Sequence, residues 1–214
     1  MEAFCTMAKP RVKSDSNAVQ RAISIFREHH GMLRMSQAVE AGIHRNTLYS
    51  MLENEVIERL ARGLYRLSEA PPLGEPDLVT VAQKIPRGVI CLISALAYHE
   101  MTTQIPHEIH VAIARNSEPP RLEYPPICVY RFGGRAFSEG IEVARMDGIP
   151  IRVYNREKTL VDCFKCRNRI GMDTAIEALR FYRERGRVDV ESLIRYAQIC
   201  RVAAFMRPYL EAVL

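Results

Sequence analysis

Apolar residues recur at Val19, Ala22, Ile23 and Phe26, the three-and-four spacing of an amphipathic helix over residues 18–30, and Gly31 closes it. A shorter helix is predicted over 36–41. Gly42 then supplies a tight turn, because a residue without Cβ enters the left-handed conformation at little cost. A further helix starts at His44 or Arg45. In it Leu48, Met51 and Leu52 share the buried face, while Asn46, Tyr49, Ser50 and Glu53 lie together on the opposite one. Asn54 is suited to end this helix in a left-handed position. Residues 56–61 and 64–67 are β-prone runs joined by Arg62-Gly63, a hairpin turn. The pattern is that of a helix-turn-helix followed by a β-wing.

Residues 68–76 (SEAPPLGEP) concentrate proline, glycine and glutamate, and mark a domain boundary with its linker at 71–76. Asp77 is placed to cap a helix over 77–84, with Leu78, Val81 and Ala82 turned inward. A turn at 86–88 leads into the apolar run 89–91, and 94–100 has helical spacing. Runs 108–114 and 128–132 read as strands separated by the proline-heavy loop 118–126. Runs 141–146 and 149–154 form a hairpin across Asp147-Gly148. The remainder is helical, with starts near Asn155, Asp173 and Asp189 and breaks near Gly171, Gly186 and Pro208. The predicted class is α+β: a winged helix-turn-helix over 18–70 joined to a mixed α+β domain over 77–214, in which antiparallel strands precede a helical block.

A chain of 214 residues, 48% hydrophobic and 26% charged, suits two ordinary globular domains. It has no apolar run of membrane-spanning length, and its first residues lack a signal-peptide core, so the expected location is the cytoplasm. Residues 1–17 mix Lys, Arg, Ser and Asp and read as a flexible basic arm. The net charge of +5 permits a polyanionic partner without requiring one. Lysine stands only at positions 9, 13, 84, 158 and 165, so arginine supplies nearly all the positive charge. Its planar fork suits phosphates and bases, although a GC-rich genome produces the same bias. The six cysteines include Cys163 and Cys166 at metal-ligand spacing, but no second closely spaced Cys/His pair follows. Neither zinc nor disulfides are expected.

The exposed face of the second helix in the motif is the candidate reading head. A winged module puts that helix in the major groove and its basic hairpin on phosphates. Arg45 and Asn46 then reach base edges, arginine pairing with guanine and asparagine with adenine. Tyr49 and Ser50 complete that face, with Arg59, Arg62 and Arg66 on or near the wing. The same pattern also fits a small α+β unit that binds protein, and Glu53 and Glu55 would be repelled by phosphate.

The second half contains no Walker loop, no dinucleotide fingerprint and no activated nucleophile. Gly133-Gly134 follows a strand but lacks the partners of either phosphate motif. His107 and His110, at odd spacing on a strand, point to opposite faces, which disfavours a metal pair. Asp162, among Lys158, Lys165 and Arg169, reads as a surface ion-pair face. The series Arg180, Arg183, Arg185 and Arg187 reads as a solvated helix face. No catalytic residue, cofactor or metal is expected.

The segments ERLARGLYRLS, GVICLISALAYHEMTTQIPHEIHVAI, IPIRVYNREKTLVDCF and IGMDTAIEALRFY, in that order, resemble the AbiEi family, antitoxins of AbiE-type toxin-antitoxin systems. The resemblance runs from residue 32 to the C-terminus. It implies a winged helix that binds inverted repeats in promoter DNA and represses the protein's own operon. It also implies a C-terminal domain that neutralises a co-encoded nucleotidyltransferase-like toxin, as a type IV system without a required stable complex. By position it places Arg45, Asn46 and Tyr49 on bases and Arg59 and Arg62 on the backbone. Lys158, Thr159 and Asp162 fall in a recurring segment of the antitoxin domain with no chemical role attached. Similar sequences carry glycine between recognition helix and wing where this chain has Asn54-Glu55. Two other classes remain open at this stage: a regulator whose second domain senses a ligand or protein, and a nucleic-acid-modifying enzyme targeted by the winged helix.

Overall fold

A computed structural model of the protein describes residues 16–213. The expected basic arm therefore lies outside the described residues, apart from Ser16 and Asn17, which begin the first helix. The chain divides into two compact units between Pro72 and Leu73.

The first unit runs α1 (Ser16–Glu28), β1 (Met32–Arg34), α2 (Met35–Glu40), α3 (Arg45–Glu53), β2 (Ile57–Ala61) and β3 (Leu64–Leu67). Its strands form an antiparallel sheet in the order β1-β3-β2. The apolar stripe of α1 supplies Ala22 and Phe26 to a core shared with Ile43, Leu48, Met51, Ile57 and Tyr65. Each fully buried large side chain in such a core contributes roughly 1.5–3 kcal/mol. Strand β1 is absent from the sequence reading, since three residues are too few to show an alternation. Its pairing makes β3 the central strand, and all four residues of β3 are buried.

The second unit begins with α4 (Pro76–Lys84), β4 (Val89–Ile90), α5 (Leu92–Tyr98), β5 (Ile109–Ala114) and β6 (Ile127–Phe132). It continues with α6 (Arg135–Ser138), β7 (Ile141–Met146) and β8 (Ile149–Tyr154). It ends with α7 (Arg156–Lys165), α8 (Arg167–Ile170), α9 (Met172–Glu184), α10 (Val190–Cys200) and α11 (Ala203–Val213). The described strands make a five-stranded sheet in the order β6-β5-β4-β8-β7. The α+β character and the β7–β8 hairpin match expectation, with Asp147 and Gly148 both at positive φ, as a tight hairpin turn requires. The strand directions differ in part from the antiparallel reading. Pairs β4–β5 and β7–β8 are antiparallel, but β5–β6 and β4–β8 are parallel. The proline-rich stretch between β5 and β6 is a crossover long enough to return the chain to the same end of the sheet, which a hairpin turn cannot do.

Two helix boundaries also depart from the sequence reading. Helix α4 starts at Pro76, whose fixed φ suits the first helical position, so Glu75 is the cap and Asp77 lies within the first turn. The expected break at Pro208 does not occur, because α11 runs through it. The chain turns instead at Arg201, in the left-handed conformation with φ 59°. There Val202 donates its amide to the Ala197 carbonyl.

The central element of the second unit is α7, capped at Asn155, whose side chain accepts from the Lys158 amide at 2.9 Å. Every residue from Lys158 to Phe164 is buried. A helix enclosed on all sides belongs to the core, and α7 packs against α5, α9 and α10.

Candidate nucleic-acid interface

Helix α3 is positioned by a short chain of local constraints. Gly42 takes φ 87° in the turn after α2, and Ile43 drops into the core at 4% exposure. His44 caps α3, its Nδ1 accepting the Asn46 amide at 3.2 Å. Leu48 and Met51 anchor one face in the core. Arg45 and Asn46 lie exposed at the N-terminal end of the opposite face, with Tyr49 half-exposed at 50% and Ser50 partly covered. Asn46, Tyr49, Ser50 and Glu53, the four residues that periodicity put on one face, are exposed or partly covered on the outward side of α3, with Arg45 beside them at its N-terminal end.

The end of α3 departs from expectation at one residue. Asn54 keeps φ −94° and donates its side-chain amide to the Ser50 carbonyl at 2.7 Å. Glu55 takes the left-handed conformation instead, at φ 58°. Glu55 donates to the Leu52 carbonyl and Val56 to the Met51 carbonyl, the paired bonds that close a helix by the Schellman arrangement. The left-handed position between α3 and the hairpin is thus Glu55, not Asn54.

The β2–β3 hairpin, with Gly63 at φ 71° in its turn, carries exposed Arg59 and Arg62. Arg66 does not join them. It lies on the central strand β3 at 7% exposure, hydrogen-bonds Glu58 at 2.8 Å and donates to the carbonyls of Ala70 and Pro71. Its expected place on the basic wing is corrected accordingly. Pairing with β1 puts a neighbour on both sides of β3, and the guanidinium ties the hairpin to the chain leaving the unit.

Residues 20–68 match the family described as a transcriptional regulator, AbiEi antitoxin. The N-terminal unit is of the AbiEi type. The match covers α1 through the wing and so includes the whole candidate surface. Among solved structures, the crystal structure of the RV2827C protein from Mycobacterium tuberculosis is similar over 94% of this chain and 76% of that one, with a TM-score of 0.59 and 14% identity. That likeness concerns the fold alone. No curated protein matches the chain. The match over this unit supports a regulator role, and no described helix is long and apolar enough to cross a membrane.

Beyond the AbiEi-type unit, Lys158, Thr159 and Asp162 come together, but not on a surface. All three are fully buried, which corrects the reading of Asp162 as part of an exposed ion-pair face. Lys158 Nζ hydrogen-bonds the Asp162 carboxylate and lies over the Tyr154 ring at 4.2 Å. Thr159 donates to the Tyr154 carbonyl at 3.0 Å. The i, i+4 spacing was visible in the sequence, but the enclosure of α7 by three other helices was not. Burial pushes the Asp162 carboxyl up, and Lys158 pulls in the opposite direction. The adjoining Cys200 thiol, 3.5 Å from Asp162, is pushed up to about 11 by burial and by that carboxylate. Cys163 is buried, and burial raises its thiol well above the ordinary range. Burial likewise lifts the half-covered Cys166 to about 11, so both favour the protonated thiol over a thiolate ligand.

One set of potential metal ligands was missed. Glu108, His110 and Cys128 bring their ligand atoms within 4.8 Å of one another. His110 and Cys128 are register partners across the parallel β5–β6 pair, so only the strand register reveals their proximity. Arg169 donates to Cys128 Sγ at 3.7 Å, placing a fixed positive charge where a cation would bind. His107, exposed, lies outside this group. Of the distal arginines, Arg183 bonds the Val213 carbonyl and Arg185 pairs with Glu100, ordinary surface contacts.

Proposed function

We propose that the protein is an autoregulatory antitoxin. Its AbiEi-type unit binds inverted repeats in the promoter of its own operon, with Arg45, Asn46, Tyr49 and Ser50 toward base edges and Arg59 and Arg62 toward phosphates. Its second unit neutralises a co-encoded nucleotidyltransferase-like toxin without requiring a stable complex, and the protein acts in the cytoplasm without catalytic chemistry of its own. The observation that carries this reading is the family match over residues 20–68, coinciding with an outward helix face that exposes arginine, asparagine and tyrosine. A second reading, a regulator whose second unit senses a ligand, is favoured by the cationic cleft described below.

The test is a binding titration of the full chain against the DNA upstream of its own gene and against unrelated DNA, beside an Arg45→Ala/Asn46→Ala variant. Preferential binding that the variant loses supports operator recognition, and equal binding to unrelated DNA overturns it. Co-expression with the neighbouring gene product tests neutralisation: growth arrest that this chain does not relieve removes the antitoxin role and leaves the regulator.

A further inference from the structure

The second unit contains a cleft of about 980 Å³ whose lining includes Arg115, Arg131, Arg135, Lys165, Arg169 and Arg201 and no aspartate or glutamate. Such a charge set is costly to assemble, because like charges repel and gain nothing in the absence of an anion. Nearby carboxylates quench little of it. Arg135 is paired with Glu139 at 3.2 Å, but Arg115, Arg169 and Arg201 form no ion pair among the described residues. Arg169 lies over the Tyr130 ring with Cζ 4.1 Å from its centroid, and Lys165 lies over Phe132 at 5.0 Å. Aromatic platforms therefore orient these cations. Arg115 packs beside the backbone at Gly133, where even an added Cβ would meet its Nε only at 3.4 Å, an ordinary packing distance.

The cleft lies where the neighbouring parallel strands β5 and β6 end, with Arg115 directly after one and Gly133 directly after the other. Crevices beyond the carboxyl ends of parallel strands are where open sheets hold their ligands. The volume falls in the range of small-molecule sites and far exceeds a single inorganic anion. Arginine forks match phosphate oxygens two at a time.

We propose that this cleft is a binding site for a nucleotide, its polyphosphate held by Arg115, Arg169 and Arg201. The site is separate from the operator-binding surface and does not depend on it.

The test is calorimetric titration of the full chain, at about physiological salt, with ATP, inorganic tripolyphosphate, adenosine and a short single-stranded RNA. The same series is run on Arg115→Ala and on Arg115→Ala/Arg169→Ala, with circular dichroism confirming that the variants stay folded. The expected result is saturable ATP binding weakened at least tenfold by the double variant, weaker binding of tripolyphosphate, and none of adenosine. Since Arg169 also packs on Tyr130, the Arg115→Ala variant carries the test alone if the double variant is misfolded; its expected loss is at least threefold. Absence of ATP binding at millimolar concentration overturns the proposal, as does binding that both variants retain in full. RNA binding without ATP binding also overturns it, and points to a nucleic-acid groove instead. Operator binding is expected to be unchanged in the variants, so failure here is distinguishable from failure of the regulatory reading.

Discussion

Lys158 and Asp162, one turn apart on α7, form an ion pair from which both side chains are wholly excluded from water. Removing one partner leaves the other charged and unmatched in the core. Asp162→Asn or Lys158→Met alone is therefore expected to lower unfolding stability by about 3–5 kcal/mol. The double replacement Lys158→Met/Asp162→Leu should lose much less, since apolar groups of similar volume remove both desolvation penalties. Urea unfolding of the three variants checks this, and equal losses in single and double variants would refute it.

Gly140 guards the same pair. A Cβ there would stand 2.6 Å from Lys158 Cβ, on a backbone at φ 73°. Gly140→Ala should destabilise the second unit by roughly 1–3 kcal/mol, from overpacking and left-handed strain together. The melting transition of this variant measures the effect.

Glu55 offers the opposite case. It holds a left-handed conformation that costs a side-chain-bearing residue roughly 1 kcal/mol or more. Glu55→Gly should raise the stability of the first unit, by less than that amount because glycine also loosens the unfolded chain. It also removes a carboxylate beside α3, so binding to operator DNA should not weaken. A lower denaturation midpoint would contradict this account.

The basic residues of the first unit should separate by role. Arg59→Ala and Arg62→Ala are each expected to shallow the log–log salt dependence of DNA binding by about 0.9, one phosphate contact apiece. Arg45→Ala/Asn46→Ala should cost at least tenfold in preference for the operator, from roughly 1–3 kcal/mol per base contact. Arg66→Ala should leave the salt slope unchanged and destabilise the fold by about 1–3 kcal/mol, because it strips hydrogen bonds from Glu58 and from the carbonyls of Ala70 and Pro71.

Burial lowers the imidazole pKa of both His99 and His110 below the ordinary value of 6.5, outweighing the Tyr154 carbonyl that bonds His99 and the Glu108 carboxylate beside His110. Between the lowered folded value and 6.5 the unfolded chain binds more protons. Stability from these groups is complete above pH 6.5 and declines as pH falls through the folded values. The urea midpoint of the second unit should thus drop between pH 7.5 and pH 5.5, with a shallower drop in His110→Asn. A midpoint rising toward acid would overturn the assignment.

Much of the first unit was legible because its information is local. Periodicity identified Leu48 and Met51 as anchors and left Asn46 and Tyr49 outward, and Gly42 and Gly63 announced their turns. The mistakes arose where a neighbour distant in sequence decides the outcome. Arg66 became buried once β1, invisible at three residues, paired beside it. Asp162 became buried because three helices close on α7. The cationic cleft gathers residues 115, 131, 165 and 201 from separate elements, and no spacing rule joins them.

The buried clusters of the two units share no residue, and the chain divides cleanly after Pro72. Substitutions on the outward face of α3 therefore leave the core around α7 untouched, and alterations of the cationic cleft leave the core beneath α3 untouched. On the proposed reading, natural variation can rewrite the DNA address of the first unit at one tempo and the ligand of the second unit's cleft at another.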